Sequence, residues 1–312
     1  MDLKTISGRN LSQIGIGTYG IGGLSHRYVG NVDRNSDKLY IDALVYQLNS
    51  GMNFTEISVA LAEGKSAQLL AQAILKSNLK REDVFITHSL WPKDLLNFED
   101  IEKDVNKAHE LFETDCLDST LVTLSLISKF GQDKIFKLLH QLLHKNKTRY
   151  ISLSNSNKKM IEIFASEFGE KFVAHEAHLS FEIRENKDEG ILDLCTKLNV
   201  RNNIWRSLRQ GKTVAHNWDL LSELSEKYNK TQNQIILNWI VSSGYFPMVF
   251  SSSVNHIQEN MESLNFKIDA SDLERINNYR IENYKKPKVD WDKTGDGISV
   301  ALLPDKFEEN LI

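Results

Sequence analysis

The sequence is poor in cysteine and proline, and it has no long apolar run. Its 312 residues include 2 cysteines, Cys116 and Cys195, which lie far apart and outside any CxxC or metal-ligand pattern. This usage indicates buried thiols in a reducing compartment. No apolar stretch approaches the roughly 20 residues of a membrane-spanning helix, and the N-terminus lacks the apolar core of a signal peptide. These absences predict a soluble cytoplasmic protein.

An excess of basic charge is also missing. The formal net charge is −4, and the chain has no strongly basic stretch. Nucleic acids and anionic membrane surfaces attract proteins through clustered Lys and Arg, so the sequence predicts neither kind of partner. Apolar residues make up 41% of the chain, which is enough for a substantial core and argues against disorder.

Short apolar runs alternate regularly with longer amphipathic stretches. Runs such as 52–57, 84–87 and 172–177 have the composition of strands, and 36–48 has apolar residues at helical spacing. Eight strand–helix units over this length predict an α/β protein built as a (β/α)8 TIM barrel, with an open doubly wound sheet as the alternative. The seventh run is polar at 201–203 (Arg-Asn-Asn), which predicts a distorted edge strand.

The last stretch of the chain differs from the rest. Residues 285–312 show little periodicity and contain two of the 4 prolines. They predict a tail that lies on the surface or over the barrel mouth. Because no linker or internal repeat interrupts the chain, the simplest division is a single domain over residues 1–312 that includes this tail.

Six segments, in order along nearly the whole chain, resemble motifs of the aldo-keto reductase family. They are Gly17-Thr18-Tyr19-Gly20, Gly51–Glu56 followed by Gly64-Lys65-Ser66, Arg81–Thr87, Thr114–Asp118, Arg149–Asn155 and His256–Asn260. Each segment alone is a weak signal, but their shared order makes the resemblance specific. It implies a barrel of the aldo-keto reductase type, in which NADPH delivers a hydride to a carbonyl and a tyrosine donates the proton.

The four residues that the family uses for this chemistry are absent from the corresponding positions. The resemblance places Glu56 at the aspartate, Leu61 at the tyrosine, Ser89 at the lysine and Thr123 at the histidine. An aliphatic side chain cannot donate a proton, and serine supplies no positive charge to lower the pKa of a phenol. The sequence therefore predicts a degenerate site with no residue in the usual catalytic roles. Losing such a group of residues costs orders of magnitude in rate.

Other polar residues lie at the same strand ends. Glu56 is either a general acid or base with a raised pKa or a leftover carboxylate that is solvated or hydrogen-bonded. Successive strand residues point to opposite faces, so His88 is predicted to face the helix layer if Ser89 faces the mouth. The same alternation separates His175 from His178, which argues against a metal site.

Part of the family's cofactor site is retained in the resemblance. The positions that match cofactor contacts are Thr18, Tyr19, Ser154, Asn155, Glu176, Trp205, Ser251, Ser252, Glu259 and Asn260. However, Phe250 and His256 replace residues of the phosphate clamp, and Glu176 replaces a glutamine with a carboxylate that cannot donate a hydrogen bond. The cofactor is therefore unknown. NAD(P) is a possible cofactor, but the replaced residues would weaken its binding. The serines before the helix at 254 fit an anion site or simple helix capping equally well.

Three functions are compatible with these residues. The degenerate site favours a relative that acts by binding, in a regulatory or scaffold role, with a protein partner or a small molecule at the barrel mouth. The partial cofactor site favours an NAD(P)-dependent oxidoreductase with a changed proton donor, such as Glu56 or a residue of the tail. A cofactor-free enzyme that uses Glu56 and nearby histidines is the third, because fold alone does not determine function. We favour the first.

Overall fold

Eight strands of the computed structural model, which describes residues 5–6, 8–22, 36–91 and 95–281, form one closed parallel barrel. The barrel strands are β1 (Gly15–Ile16), β2 (Phe54–Ile57), β3 (Phe85–Ser89), β4 (Leu117–Thr123), β5 (Thr148–Ser154), β6 (Phe172–His178), β7 (Arg201–Trp205) and β8 (Phe246–Val249). They follow one another in chain order, and β8 pairs with β1. The predicted (β/α)8 barrel is confirmed. The predicted tail, 285–312, lies outside the described residues.

Helices connect the strands on the outside of the barrel. They are α1 (Asp37–Asn49), α2 (Lys65–Lys76), α3 (Asp100–Leu111), α4 (Leu124–Phe130), α5 (Gln132–His144), α6 (Lys158–Phe168), α7 (Glu185–Asp188), α8 (Ile191–Lys197), α9 (Lys212–Ala215), α10 (Asp219–Tyr228), α11 (Gln232–Ser242), α12 (Val254–Glu262) and α13 (Ala270–Asn278). Ser36 caps α1 by accepting from the backbone N–H of Leu39, as predicted. In the described ranges, none of these helices has the length and apolarity needed to cross a membrane.

The inside of the barrel is divided into an apolar floor and a polar mouth. Phe54, Phe85, Phe246 and Met248 form the floor, and a short hairpin, Thr5–Ile6 with Arg9–Asn10, covers it from below. Because side chains alternate along a strand, the next inward positions are two residues further on. Apart from Leu121 and Ala174, these positions are mostly polar: Glu56, Thr87, Ser89, Ser119, Thr123, Ser152, Ser154, Glu176 and Asn203.

The polar seventh strand is not an edge, and that expectation was wrong. β7 pairs with β6 on one side and with β8 on the other. The Arg201 guanidinium points into the barrel, 4.3 Å from the ring centroid of Phe54 and 3.4 Å from that of Phe246, and its Nε donates to Asn203 Oδ1 at 3.1 Å. Aromatic faces and a hydrogen-bonded neighbour satisfy the buried cation, so a polar strand is compatible with a closed sheet.

Asp118 on β4 joins several elements at the floor end of the barrel. Its side chain is only 2% exposed. The carboxylate accepts from the backbone N–H of Ile86 at 3.0 Å, from Arg81 at 3.1 Å and from Arg149 at 3.4 Å, and it also pairs with Arg9 of the hairpin. Four donors from different parts of the chain thus depend on one buried acceptor.

We expect Asp118→Ala to lower the free energy of unfolding by about 3 kcal/mol, because it leaves buried donors without their charged partner. Arg149→Ala is the matched control. The Arg149 side chain is 45% exposed, so its loss should cost less than about 1 kcal/mol. Urea unfolding measures both values, and equal losses in the two variants would contradict the central role of the carboxylate.

Candidate functional site

Glu56 on β2 points into the polar mouth and is half-buried. Burial raises the pKa of its carboxyl above the ordinary value, while the Ser89 hydroxyl and the Trp91 indole, both within hydrogen-bonding range, act in the opposite direction. Electrostatic interaction with His88 also lowers the pKa of Glu56. The raised pKa fits a general acid or base, and the hydrogen bonds from Ser89 and Trp91 fit a hydrogen-bonded leftover carboxylate, so both alternatives stay predictions.

The other three positions assigned by the resemblance hold side chains that are engaged within the fold. Leu61 is 1% exposed and begins the 3-10 turn Leu61–Gly64. Thr123 caps α4 by accepting from the backbone N–H of Leu126, and its hydroxyl lies 2.9 Å from that of Ser125. The Ser89 hydroxyl forms a hydrogen bond with the carboxyl of Glu56. None of the three brings a phenol or a cation to the mouth.

Glu176 on β6 enters the same mouth from the opposite wall. β2 and β6 are four strands apart in a barrel of eight, so their inward side chains face each other across the axis. Burial, followed by the negative charge of Glu56, holds the pKa of Glu176 well above its ordinary value, and the amide of Asn203 opposes the shift. Since a protonated carboxyl can donate a hydrogen bond, the sequence-based statement that Glu176 cannot donate does not hold for that form.

His178 and Trp205 lie one inward position above Glu176 and Asn203. Their rings are stacked, with centroids 4.7 Å apart and an interplanar angle of 26°. Burial, and then the charges of Arg206 and Arg209, hold the pKa of His178 well below its ordinary value, so the imidazole is neutral.

Several buried polar atoms of the mouth lack a partner within the fold. Neither ring nitrogen of His178 has a hydrogen-bond partner among the described residues, and the same is true of Oε1 of Glu176. The two residues are only 2% and 3% exposed. Buried polar atoms in native proteins are nearly always hydrogen-bonded, so a ligand or an ordered water molecule in the mouth would supply the missing partners.

The other two histidines of these strands point away from the mouth. His88 Nε2 lies 2.8 Å from Asp104 Oδ1 on α3, which confirms the prediction that His88 faces the helix layer. His175 also faces outward, and burial lowers its pKa to about 3. His175 and His178 therefore lie on opposite faces, as the spacing predicts. Within the described residues, no group of three or more His, Cys, Asp or Glu could hold a metal ion.

Some residues assigned to the nicotinamide end of a cofactor form hydrogen bonds within the protein instead. The hydroxyl of Ser154 and the backbone N–H of Asn155 both donate to the backbone carbonyl of Glu176, each at 3.1 Å. The hydroxyl of Thr18 donates to a β2 carbonyl at 2.8 Å, whereas Tyr19 is 44% exposed. Two of the assigned hydroxyl protons are therefore not available to a cofactor.

The residues assigned to the adenosine end lie at the start of α12 and along it. Ser253 occupies the N-cap position but makes no capping hydrogen bond, so simple helix capping does not explain it. Ser251 accepts from the backbone N–H of Ser253 at 3.1 Å and lies 3.4 Å from His256 Nδ1. Glu259 accepts from Thr231 at 2.5 Å. Some side chains assigned to the adenosine end thus also form hydrogen bonds with other residues of the protein.

Sequence reasoning missed two residues of the mouth, Trp91 and Asn203. Each lies two residues from a position that the resemblance did identify, Ser89 and Trp205 respectively. The two-residue period of a strand directs such pairs to the same face, so this signal was present in the sequence.

We expect Glu176→Gln to change how stability depends on pH. The carboxyl has a higher pKa in the folded chain than in the unfolded chain, so it stabilises the wild type fully below about pH 4.5. That stabilisation is lost as the pH rises through the folded pKa. Glutamine does not titrate, so the stability of the variant relative to the wild type should rise by about 1.4 kcal/mol per pH unit in this window.

Urea unfolding at several values between about pH 5 and pH 8 measures this difference. Glu170→Gln, at an exposed position before β6, is the control and should stay within about 0.5 kcal/mol of the wild type. A difference between Glu176→Gln and the wild type that is flat with pH would mean that the carboxyl is ionised in the native protein.

Comparisons with known proteins agree with this barrel. The model of the Aldo/keto reductase family matches residues 13–281. The glyoxal reductase of Bacillus subtilis (strain 168) is 26% identical over 246 residues, which are 74% of this chain and 85% of the relative. The 9,11-endoperoxide prostaglandin H2 reductase of Trypanosoma cruzi (strain CL Brener) is 26% identical over 211 residues, 66% of this chain and 71% of the relative.

Solved structures show the same fold. A thermostable aldo-keto reductase in complex with the inhibitor epalrestat has a TM-score of 0.76 at 22% identity, over 86% of this chain and 96% of its own. An aldo-keto reductase from Klebsiella pneumoniae in complex with NADPH has a TM-score of 0.71 at 17% identity, over 89% of this chain and 93% of its own. The fold and the match over most of the sequence lead to the same conclusion: this chain belongs to the aldo/keto reductase family.

Proposed function

We propose that this protein does not carry out the carbonyl reduction typical of its family and acts instead by binding at the barrel mouth, in a regulatory or scaffold role. The observation that carries the proposal is the buried Leu61 at the position assigned to the proton donor. Hydride transfer to a carbonyl develops negative charge on oxygen, and that charge needs a placed proton or cation. Ser89, at the position assigned to the lysine, instead interacts with Glu56.

The fit of a nicotinamide cofactor differs between its two ends. At the nicotinamide end, the protonated form of Glu176 has both a donor and an acceptor for a carboxamide, and Trp205 offers an aromatic ring. At the phosphate end, Phe250 is packed against the apolar core, with its ring centroid 5.9 Å from that of Tyr40. An aromatic ring supplies no charge to a phosphate. The residues present therefore fit the nicotinamide end of the cofactor but supply no clamp for a 2′-phosphate at Phe250, and we derive no step through the cofactor.

A second function has one observation in its favour. The pKa values of Glu56 and Glu176 are both raised, and a carboxyl that holds a proton near neutral pH can act as a general acid. An oxidoreductase with a changed proton donor would use one of these two groups in place of the phenol. The glyoxal reductase from Bacillus subtilis is named for a dicarbonyl, so this class of compound provides the substrates for a test.

We expect the wild type to oxidise NADPH with glyoxal or methylglyoxal no faster than a blank without enzyme. The variant that carries Glu56→Asp, Leu61→Tyr, Ser89→Lys and Thr123→His together should gain activity of at least about 100-fold over that background, because a positioned proton donor is worth this factor. The matched control has Leu61→Phe in place of Leu61→Tyr, which keeps the ring and removes the hydroxyl. Turnover by the wild type at about 1 s⁻¹ or faster would overturn the proposal.

We also expect NADPH to stabilise the wild type no more than NADH does, because the phosphate end lacks a clamp for the additional 2′-phosphate. A nucleotide at about one hundred times its Kd would stabilise the fold by about 2.7 kcal/mol, which thermal unfolding detects easily. A larger shift with NADPH than with NADH would contradict the inference that the phosphate end lacks a clamp for the 2′-phosphate.

A further inference from the structure

We propose that the mouth of this barrel, between Glu56 on β2 and Glu176 on β6, is a binding site for an organic cation that carries a primary ammonium or amidinium group. The inference rests on the proposed function for the place of binding and goes beyond it by naming the chemical class of the ligand. Its basis is the set of hydrogen-bonding groups that the mouth leaves unpaired.

The protein supplies donors to the two carboxyl groups from the walls of the barrel. The Ser89 hydroxyl and the Trp91 indole form hydrogen bonds with Glu56, and the Asn203 amide forms one with Glu176. The two carboxyl groups lie on opposite strands of the barrel and face each other across its axis. Oε1 of Glu176 is buried and has no hydrogen-bond partner among the described residues. A donor bound in the mouth would supply this partner.

The layer above the carboxyl groups also suits a cation. His178 is a neutral imidazole, so one of its two unpaired ring nitrogens is an acceptor. Trp205, stacked on His178, is half-buried at the same height, and an indole ring attracts cations through its negative π face. Carboxylate oxygens, an imidazole lone pair and an indole face all favour positive charge.

The basic groups around the mouth already have partners. Below Glu176, Arg201 lies between aromatic rings of the floor and donates to the Asn203 side chain and to the backbone carbonyl of Ser12. Behind Glu56, His88 pairs with Asp104. Two arginines, Arg206 and Arg209, lower the pKa of His178. Arg206 interacts with other groups of the protein, and the Arg209 guanidinium lies 3.0 Å from the buried Glu182 carboxylate.

A cation explains the mouth better than a neutral polyol does. Two carboxyl groups that face each other in a buried space repel each other when both are ionised, and a positive charge between them offsets this repulsion. A polyol adds hydroxyl groups but leaves this repulsion in place. When an ammonium group binds, a proton held by the pair is released to solvent, and the charge of the site is conserved. Affinity should therefore increase with pH until the pair is ionised without the ligand.

Isothermal titration calorimetry of the full chain, without nucleotide, tests the inference. The probes are methylammonium, guanidinium and benzylammonium, and benzyl alcohol is the neutral counterpart of the last. We expect at least one cation to bind at least about tenfold more tightly than benzyl alcohol, with release of a proton that is measured from two buffers of different ionisation enthalpy. Equal affinity of benzylammonium and benzyl alcohol, or binding of none of the three cations at millimolar concentration, would overturn the proposal.

Variants assign the binding to the mouth. Glu176→Gln and Glu56→Gln should each weaken cation binding at least about tenfold, whereas the exposed Glu170→Gln should leave it unchanged. Thermal unfolding of each variant shows that it is folded. Unchanged affinity in both mouth variants would place the cation elsewhere and overturn the site. If the wild type binds the cation but also reduces methylglyoxal, only the proposed function fails, and if it does neither, only this inference fails.

Discussion

Closure of the sheet is the constraint on which the rest of the molecule depends. Because β8 pairs with β1, no strand of the barrel has a free edge, and every second side chain of each barrel strand has to be accommodated inside. Apolar rings fill the floor end, and the same alternation then brings Glu56 and Glu176 to the mouth from opposite walls. Closure thus fixes the backbone positions from which the two carboxyl groups enter the mouth.

The fold could be predicted from the sequence because its signals are local. Runs such as 84–87 and the cap at Ser36 each report on a few neighbouring residues, and the order of eight such units determines the barrel. The prediction failed at β7, where Arg201 looked like a sign of solvent exposure. Its partners Phe54 and Phe246 are distant in sequence, so no local pattern shows that they enclose the guanidinium.

Less of the site could be predicted. The orientation of His88 and the opposite faces of His175 and His178 followed from strand alternation, because that property also is local. The interaction between Glu56 and Glu176 did not, since it depends on which strands oppose each other after closure. The protonation of Glu176 arises from burial together with this non-local charge, so its chemistry cannot be inferred from the residue type alone.

The same two carboxyl groups connect the family's chemistry with the properties of this chain. A phenol and a lysine at Leu61 and Ser89 would place a proton donor and a positive charge beside Glu56, and a carboxylate there would have a cation to pair with. This chain has neither, and the hydrogen bonds from Ser89 and Trp91 together with the charge of His88 only partly offset the effect of burial, which raises the pKa of Glu56. A second carboxyl opposite makes that compensation weaker. Within the described part of the chain, the two carboxyl groups thus lack the lysine of the family, and a proton or a bound cation that enters the mouth changes their ionisation state.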